Sequence, residues 1–504
     1  MVRPVRMSII AVSVILMLLT LQVGVSAKKK SSKRKSRVAR SVPVIFMAPV
    51  GRSVPVIVTS PVLTPAVTGA TFMRSGTPAQ APQPAAPAPT TPATPSGSGV
   101  GDGDNDKRQN FRRFPAAPNA GSLIISEFRV RGPSGANDEY VEIYNDSGAD
   151  HTVTASSGTG YAVAASDGTT RCSIPNGTVI PARGHYLCTN SGAYSLGSYP
   201  AGNGTTATGD ATFATDIPDN AGIALFNNNS GGGSYSLANR FDAVGSTSEA
   251  NVLYKEGAGY PALTPFSIDY AFHRDECGKA GSITTMGQCT ISTPKDTDDN
   301  AVDFIFVDTN GTSAGAGQRL GAPGPENLSS PIQRNSTVTV NLLDASVAQS
   351  NPPNRVRDFT SDPANNSTFG TLSIRRRWVN NTGANVTRLR FRIIDLTTFP
   401  APSGFADMRP RTSTSVVVAG INDAVTCAAT GAPLTPPCTA TVQGTTLEQP
   451  PTQPNGSGFN GSLSAGTVTL GTPLANGASI NLQFLLGLQQ TGTFKIYVNV
   501  EALP

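Results

Sequence analysis

Apolar and polar residues alternate with a period of two from Gly121 to Asn145 (GSLIISEFRVRGPSGANDEYVEIYN). Ile124, Ser126, Phe128 and Val130 share one face, and Ile125, Glu127, Arg129 and Arg131 the other. Gly132-Pro133-Ser134-Gly135 cannot continue a strand. After it, Val141 and Ile143 face one way and Tyr140, Glu142 and Tyr144 the other. This is the pattern of two half-buried strands, and it places Ile124, Phe128, Val141 and Ile143 in a core. Further strands are predicted at Tyr161–Ala164, Arg171–Ile174, Gly184–Thr189, Ile223–Phe226, Arg240–Val244 and Phe304–Val307. Turn clusters such as Pro175-Asn176-Gly177 and Asn310-Gly311 separate them. Beyond residue 323, alternation returns at Ser336–Leu342, Ile480–Leu488 and Thr493–Val500. It is clearest in GTLSIRRRWVNNTGANVTRLRFRIIDL, which predicts a hairpin turning at Asn380–Asn385. No stretch after the N-terminus reads as an amphipathic helix of useful length. The fold class predicted is all-β.

Length and composition set the organisation. A chain of 504 residues is too long for one core. Its 51 Gly and 40 Pro, with only 14% charged residues, suit short strands and many turns. Arg3 and Arg6, the apolar run Ile9 to Val25 and the small residues Val25-Ser26-Ala27 predict an export signal over 1–27, cleaved after Ala27. The competing expectation is a retained anchor; the cationic flank beyond the apolar run fits that alternative under the positive-inside rule. The chain has 38 Lys/Arg and 33 Asp/Glu. Eight of the cations crowd Lys28–Arg40, so the remaining body is mildly acidic. The arm Lys28–Arg40 is expected either to contact anionic polymers or to be a solvated tail. R-S-V-P-V-I occurs at Arg40 and again at Arg52, too few copies for a solenoid. Pro61 to Ser98 reads as an extended Pro/Ala/Thr spacer. Asp102, Asp104 and Asp106 do not make an EF-hand, because Lys107 and Arg113 stand where Gly and Glu are needed. The predicted organisation is a signal (1–27), a basic arm and disordered linker (28–119), and sandwiches over 120–323 and 324–504.

The phrase L-x-I-S-E at 123–127 followed by D-E-Y-V-E-I-Y-N at 138–145 resembles the opening of a lamin tail domain. That family has an immunoglobulin-like β-sandwich fold and also occurs in secreted bacterial proteins. PNGTVIPARGHYLC, DNAGIALFN and DTDDNAVDFIF are similar to its later segments, with insertions at Ser191–Thr212 and Tyr260–Pro294. The resemblance implies a sandwich over about two-fifths of the chain and supplies no catalytic residue. N-N-T-G-x-x-V-T-x-L from Asn380 is similar to adhesion-type sandwiches of bacterial surfaces, which implies a second sandwich at the C-terminus.

Candidate chemistry is sparse. The 6 cysteines lie in close pairs, and the spacing favours disulfides Cys172–Cys188, Cys277–Cys289 and Cys427–Cys438 over zinc, which needs tighter Cys/His clusters. His151, His185 and His273 are not at metal spacing from one another, and no G-x-S-x-G or H-E-x-x-H occurs. His273-Arg274-Asp275 reads as a chance tripeptide. Glu127 and Glu142, on adjacent strands, form a carboxylate pair of the kind glycosidases use. The plainer reading pairs them with Arg129 or Arg131 or sets them on loop amides. Arg375 and Arg377 are expected to share a sheet face with Arg388, Arg390 and Arg392, either as a patch for an anionic ligand or as an ordinary solvated face. Asp296–Asn300 reads as an Asx-turn before a calcium loop. No catalytic, cofactor-binding or metal-ligating residue is expected, and no cofactor.

These features point to an exported, non-enzymatic binding, adhesion or scaffolding protein that is secreted, periplasmic or at the cell surface. Its expected partners are cell-envelope polymers, surface glycans or other proteins. There is no specific nucleic-acid motif, although the arm could capture nucleic acid in a salt-sensitive way. The alternative is an accessory or divergent member of a secreted hydrolase or nuclease system.

Overall fold

β-branched and aromatic residues at alternate positions bring residues 123–320 into two facing sheets. The computed structural model describes residues 60–61, 122–199, 207–276, 294–311, 318–333, 337–429, 435–448 and 455–504. The chain divides into two compact units, Met1–Val42 and Pro43–Pro504. The first unit, with the expected signal and the arm Lys28–Arg40, lies outside the described residues, as does the Pro-rich spacer beyond Pro61.

The main strands of the N-terminal half are β1 (Leu123–Arg129), β2 (Tyr140–Asn145), β3 (Gly160–Ala165), β4 (Thr170–Pro175), β5 (His185–Asn190) and β6 (Ala211–Phe213). They continue with β7 (Ile223–Phe226), β8 (Arg240–Val244), β9 (Tyr270–Arg274), β10 (Phe304–Asp308) and β11 (Arg319–Leu320). One sheet has the order β11-β10-β9-β1-β2-β5-β6, and the sheet packed on it has the order β8-β7-β3-β4. Every strand expected from the alternation in this half is present, within one or two residues at its ends. Phe128, Val141, Ile143, Val163, Leu225 and Phe272 lie in the core between the sheets, where the Phe128 and Phe272 rings stack at 5.1 Å.

Two expectations change here. A bulge between Ile125 and Glu127 breaks the period of two, because an extra residue reverses the facing of those beyond it. Ile125 and Phe128 therefore enter the same core, while Ile124 is buried outside it. The sheet is also not half-buried, since every residue of β1 and β2 is out of solvent. Its second face carries Tyr140, Leu187 and Val307, which pack with Phe459 from the C-terminal half.

The C-terminal half contains β12 (Ile332–Gln333), β13 (Val338–Leu342), β14 (Thr371–Asn380), β15 (Val386–Leu396) and β16 (Asp407–Arg411). It then runs through β17 (Cys438–Glu448), β18 (Ser462–Leu474), β19 (Ser479–Gln490) and β20 (Ile496–Leu503). Their order is β12-β20-β15-β18-β17-β19-β14-β13, with β16 beside β19. Trp378, Phe391 and Phe484 centre the core, with Trp378 and Phe391 rings 4.6 Å apart. The predicted hairpin is corrected. β14 pairs with β13 and β19, whereas β15 pairs with β18 and β20. Asn380–Asn385 thus carries the chain between different strand pairs. The alternation that marks each strand does not encode its partner.

Two of the expected disulfides are present. Cys172–Cys188 links β4 to β5 across the facing sheets, and Cys427–Cys438 ties a short helix, Ala424–Ala428, to β17. Cys277 and Cys289 lie outside the described residues. Among the described residues no helix is long and apolar enough to cross a membrane.

Candidate functional site

Charged side chains converge on the seam between the two halves. From the N-terminal half come Glu127 on β1, Glu142 on β2 and His185 on β5. Tyr144 on β2 and His185 on β5 are Cα partners, so His185 lies diagonal to Glu142 on the same sheet face. The connecting segment between the halves supplies Glu326. The C-terminal half supplies Arg390 and Arg392 from β15, Glu448 from the end of β17, and Glu501 from β20. All are buried.

The β15 arginines hold the cluster together. Arg390 Nε lies 2.8 Å and Arg392 Nε 2.9 Å from the two oxygens of Glu501. Arg392 Nη2 reaches Glu326 Oε2 at 2.8 Å, and Arg390 pairs with both Glu326 and Glu448. Each cation taken from water has a carboxylate in direct contact, which offsets the cost of burying it. The ring nitrogens of His185 bridge the halves of the site. Nδ1 is 3.1 Å from Glu142 Oε1, and Nε2 is 3.1 Å from Glu326 Oε2.

Glu127 and Glu142 are Cα partners across the bulge, as their adjacency in the sequence suggested, but both are committed to loop amides. Glu127 Oε1 accepts from Gly324 N at 2.8 Å and from Tyr140 Oη at 2.6 Å. Glu142 Oε2 accepts from Glu326 N at 2.7 Å. A Cβ on Gly324 would stand 2.5 Å from Arg392 Nη1, so a larger residue here would displace the guanidinium from its place. Asn460, at φ 58°, donates to Glu127 Oε2 at 2.9 Å and accepts from Arg392 Nη1 at 2.6 Å. Burial, reinforced by Glu142, pushes the Glu127 carboxyl up to about 7. Burial likewise pushes Glu448 up to about 7, opposed by Arg390. The arginines have the reverse effect on Glu501, whose carboxyl falls below its ordinary value despite its burial.

The five arginines expected to share a face do not. Arg390 and Arg392 are buried in the seam. Arg388 donates to the Ser329 carbonyl at the seam's margin. Arg375 and Arg377 lie on β14, opposite Gln483 and Asn481 of β19. The reason is the strand pairing: β14 and β15 are not neighbours, so their polar faces point to different surroundings.

Asp296–Asn300 behaves as the turn reading expects. Asp299 caps the helical turn Asn300–Asp303 by accepting from Ala301 N. Asp242, Glu256 and Asp296 place carboxylates close together. However, Arg274 already lies 2.6 Å from Asp242 and 3.3 Å from Asp296, and Arg240 lies 2.9 Å from Glu256. Arg129 and Arg131, the alternative partners of the glutamates, pair instead with Asp138 and Asp269, and with Asp219.

Glu326, Asn460, Glu448 and Glu501 were not singled out in the sequence, and His185 was weighed there only against the other two histidines. The available signal was Arg390 and Arg392 alternating with Leu389, Phe391 and Ile393. That pattern marks two faces without saying that the charged face is also covered. Of the groups able to hold a metal, Glu142, His185 and Glu326 each offer one ligand atom, all within 4.8 Å of one another.

Residues 116–238 match the family model of the Lamin Tail Domain. The match starts just before β1 and ends before β8, so it covers about a quarter of the chain and most of the first sandwich. No curated protein and no solved structure matches the chain.

Proposed function

We propose that this chain, built on a lamin tail domain, is an exported non-enzymatic binding and scaffolding protein of the cell envelope or the extracellular space. The observation that carries this reading is how the convergent charges are used. Arg390, Arg392 and the seam carboxylates are buried and bonded to one another, joining two sandwiches. That is the use of charge expected of a rigid scaffold, whose partners then meet its outer surface and its arm. Disulfides at Cys172–Cys188 and Cys427–Cys438 fit an oxidising compartment. The proposed partners are cell-envelope polymers, surface glycans or other proteins, with Lys28–Arg40 adding attraction to anionic polymers.

The test incubates purified mature protein with isolated envelope fractions, with and without residues 28–40. The whole protein is expected to co-sediment at low salt, and the deletion to weaken that binding several-fold without moving the melting temperature. Screened charge attraction predicts that added salt has the same effect as the deletion. Equal binding by both forms would remove the arm from the reading. Turnover of glycan or nucleic-acid substrates by the purified protein would replace it with the hydrolase-system alternative.

A further inference from the structure

We propose that residues 54–59 of this chain dock as an edge strand on the C-terminal sandwich, beside β20. This goes beyond the binding reading and does not depend on it.

The first support is the place where the N-terminal extension meets the body. Ser60 and Pro61 pair antiparallel with Phe494 and Thr493, just before β20. Thr493 uses its backbone on the other side: its N–H donates to Gly404 O at 2.8 Å, and its carbonyl accepts from Ala406 N at 2.9 Å. Lys495 O accepts from Thr397 N, just past the end of β15, at 3.1 Å. Backbone groups alternate in direction along a strand. Those of Phe494, Ile496, Val498 and Val500 therefore point to the edge away from β15. On that edge Ser60 stands against Phe494, and Ile332 and Gln333 stand against Ala502 and Glu501. Between them, no strand of the described residues runs beside Ile496, Val498 and Val500. An open edge of this kind is a template for an extended segment.

The register identifies the occupant. Continued towards the N-terminus, the pairing of Ser60 with Phe494 sets Val58 opposite Ile496, Val56 opposite Val498 and Val54 opposite Val500. Directly opposed residues share a sheet face. Ile496, Val498 and Val500 all belong to the C-terminal core, so three valines extend an apolar face. A slip of one residue would turn Pro55, Ile57 and Thr59 inward and set Pro55 where a ladder bond is needed. Proline is an independent check on this register. Pro61 stands opposite Thr493, whose backbone groups are engaged elsewhere, so its missing N–H removes no ladder bond. Pro55 has the same parity as Pro61, and its backbone points to the outer side. There it blunts the new edge, as proline does at sheet edges. Of the two R-S-V-P-V-I copies, the one from Arg52 is the one that runs directly into Ser60. Its valines end where Gln333 and Ile332 take over the edge.

The Pro-rich spacer is then tied at both ends, by this strand and by β1. Two measurements on the full-length mature protein test the docking. In the first, Ile57→Cys is combined with Tyr497→Cys, which the register sets opposite each other, and Thr59→Cys with Tyr497→Cys serves as the off-register control. After mild oxidation, peptide mapping is expected to show the 57–497 link within one chain and no 59–497 link. In the second, residues 52–59 are replaced by a Gly/Ser stretch of equal length and amide exchange is followed. The Ile496 and Val498 amides are expected to exchange about ten-fold faster or more, and a synthetic peptide of residues 52–61 to restore their protection. Unchanged exchange at these amides would overturn the proposal, as would equal linkage in both registers. A 57–497 link found only between two chains would overturn docking within the chain and make a second copy the donor. If the cysteine variants do not fold, amide exchange decides the matter alone.

Discussion

At the scale of single residues, the seam converts burial into pH dependence. Glu448 Oε2 faces Arg390, while its other oxygen is buried with no hydrogen-bond partner among the described residues. Burial outweighs the arginine and raises the carboxyl from 4.5 to about 7. A carboxyl whose folded value is raised keeps a proton that the unfolded chain has already released. Its stabilising contribution is therefore full below about pH 4.5 and is lost as pH rises through about 7. Glu139, buried and raised to about 8, acts with the same sign. Glu448→Gln keeps an oxygen for Arg390 and removes the titration. We expect the variant to melt above the parent at pH 8, by on the order of 1–3 kcal/mol of stability, and to lose that advantage at pH 5. Thermal melts of both proteins across this range check it. A parallel offset at all pH values would show that Glu448 does not titrate there.

Among the elements, the disulfide between β4 and β5 has the larger structural role. It crosses from one sheet to the other and closes a loop with a sequence separation of 16, worth ~3 kcal/mol in restricted unfolded-state freedom. Cys427–Cys438 closes a shorter loop between a helical turn and the strand that follows it. Replacing Cys172 and Cys188 together with serine should destabilise the N-terminal sandwich by about 3 kcal/mol, measured by denaturant unfolding. Replacing Cys427 and Cys438 should perturb only the neighbourhood of β17, visible as faster local amide exchange. Reversed magnitudes would mean that the cross-sheet link carries little strain-free constraint. The predicted strands were legible because alternation is local; β7 and β8 match their expected ranges residue for residue, whereas β9, β17 and β18 were not read from the sequence. Pairing was not legible. Strongly alternating neighbours β14 and β15 resemble a hairpin in sequence, yet each finds its partners elsewhere.

For the whole molecule, the seam makes the two halves interdependent. Residues 120–323 hold a complete two-sheet core. In isolation they would lack Glu326, Arg390, Arg392 and Phe459, which cover the second face of β1, β2 and β5. Glu127 and Glu142 would then meet water, and Tyr140 and Leu187 would be exposed. The fragment is expected to fold, but to melt well below the full chain and to bind hydrophobic dye. Removing one side of a buried charge network costs about 3–5 kcal/mol, which sets the scale of the deficit. Identical melting of the fragment and the corresponding transition of the full chain would show that the seam contributes nothing to stability.

By itself the sequence determined the all-β class, the positions of the strands with clear alternation and the lamin tail resemblance, later matched over residues 116–238, while strands such as Tyr270–Arg274, Cys438–Glu448 and Ser462–Leu474 went unread. It also determined the two cysteine pairings now seen at Cys172–Cys188 and Cys427–Cys438. These are short-range properties: alternation acts between neighbours, and close cysteines meet with little loop closure. It was also enough to place Glu127 beside Glu142 and to offer loop amides as their partners. Only the tertiary structure decided that their face is covered, and that Arg390 and Arg392 point into it. Only there does His185 meet a glutamate 141 residues further along, as its separation from Glu326 shows. A charged residue on an alternating strand looks the same in sequence whether it faces water or the other half of the molecule. The difference lies in what packs across that face, and contacts between distant segments settle it.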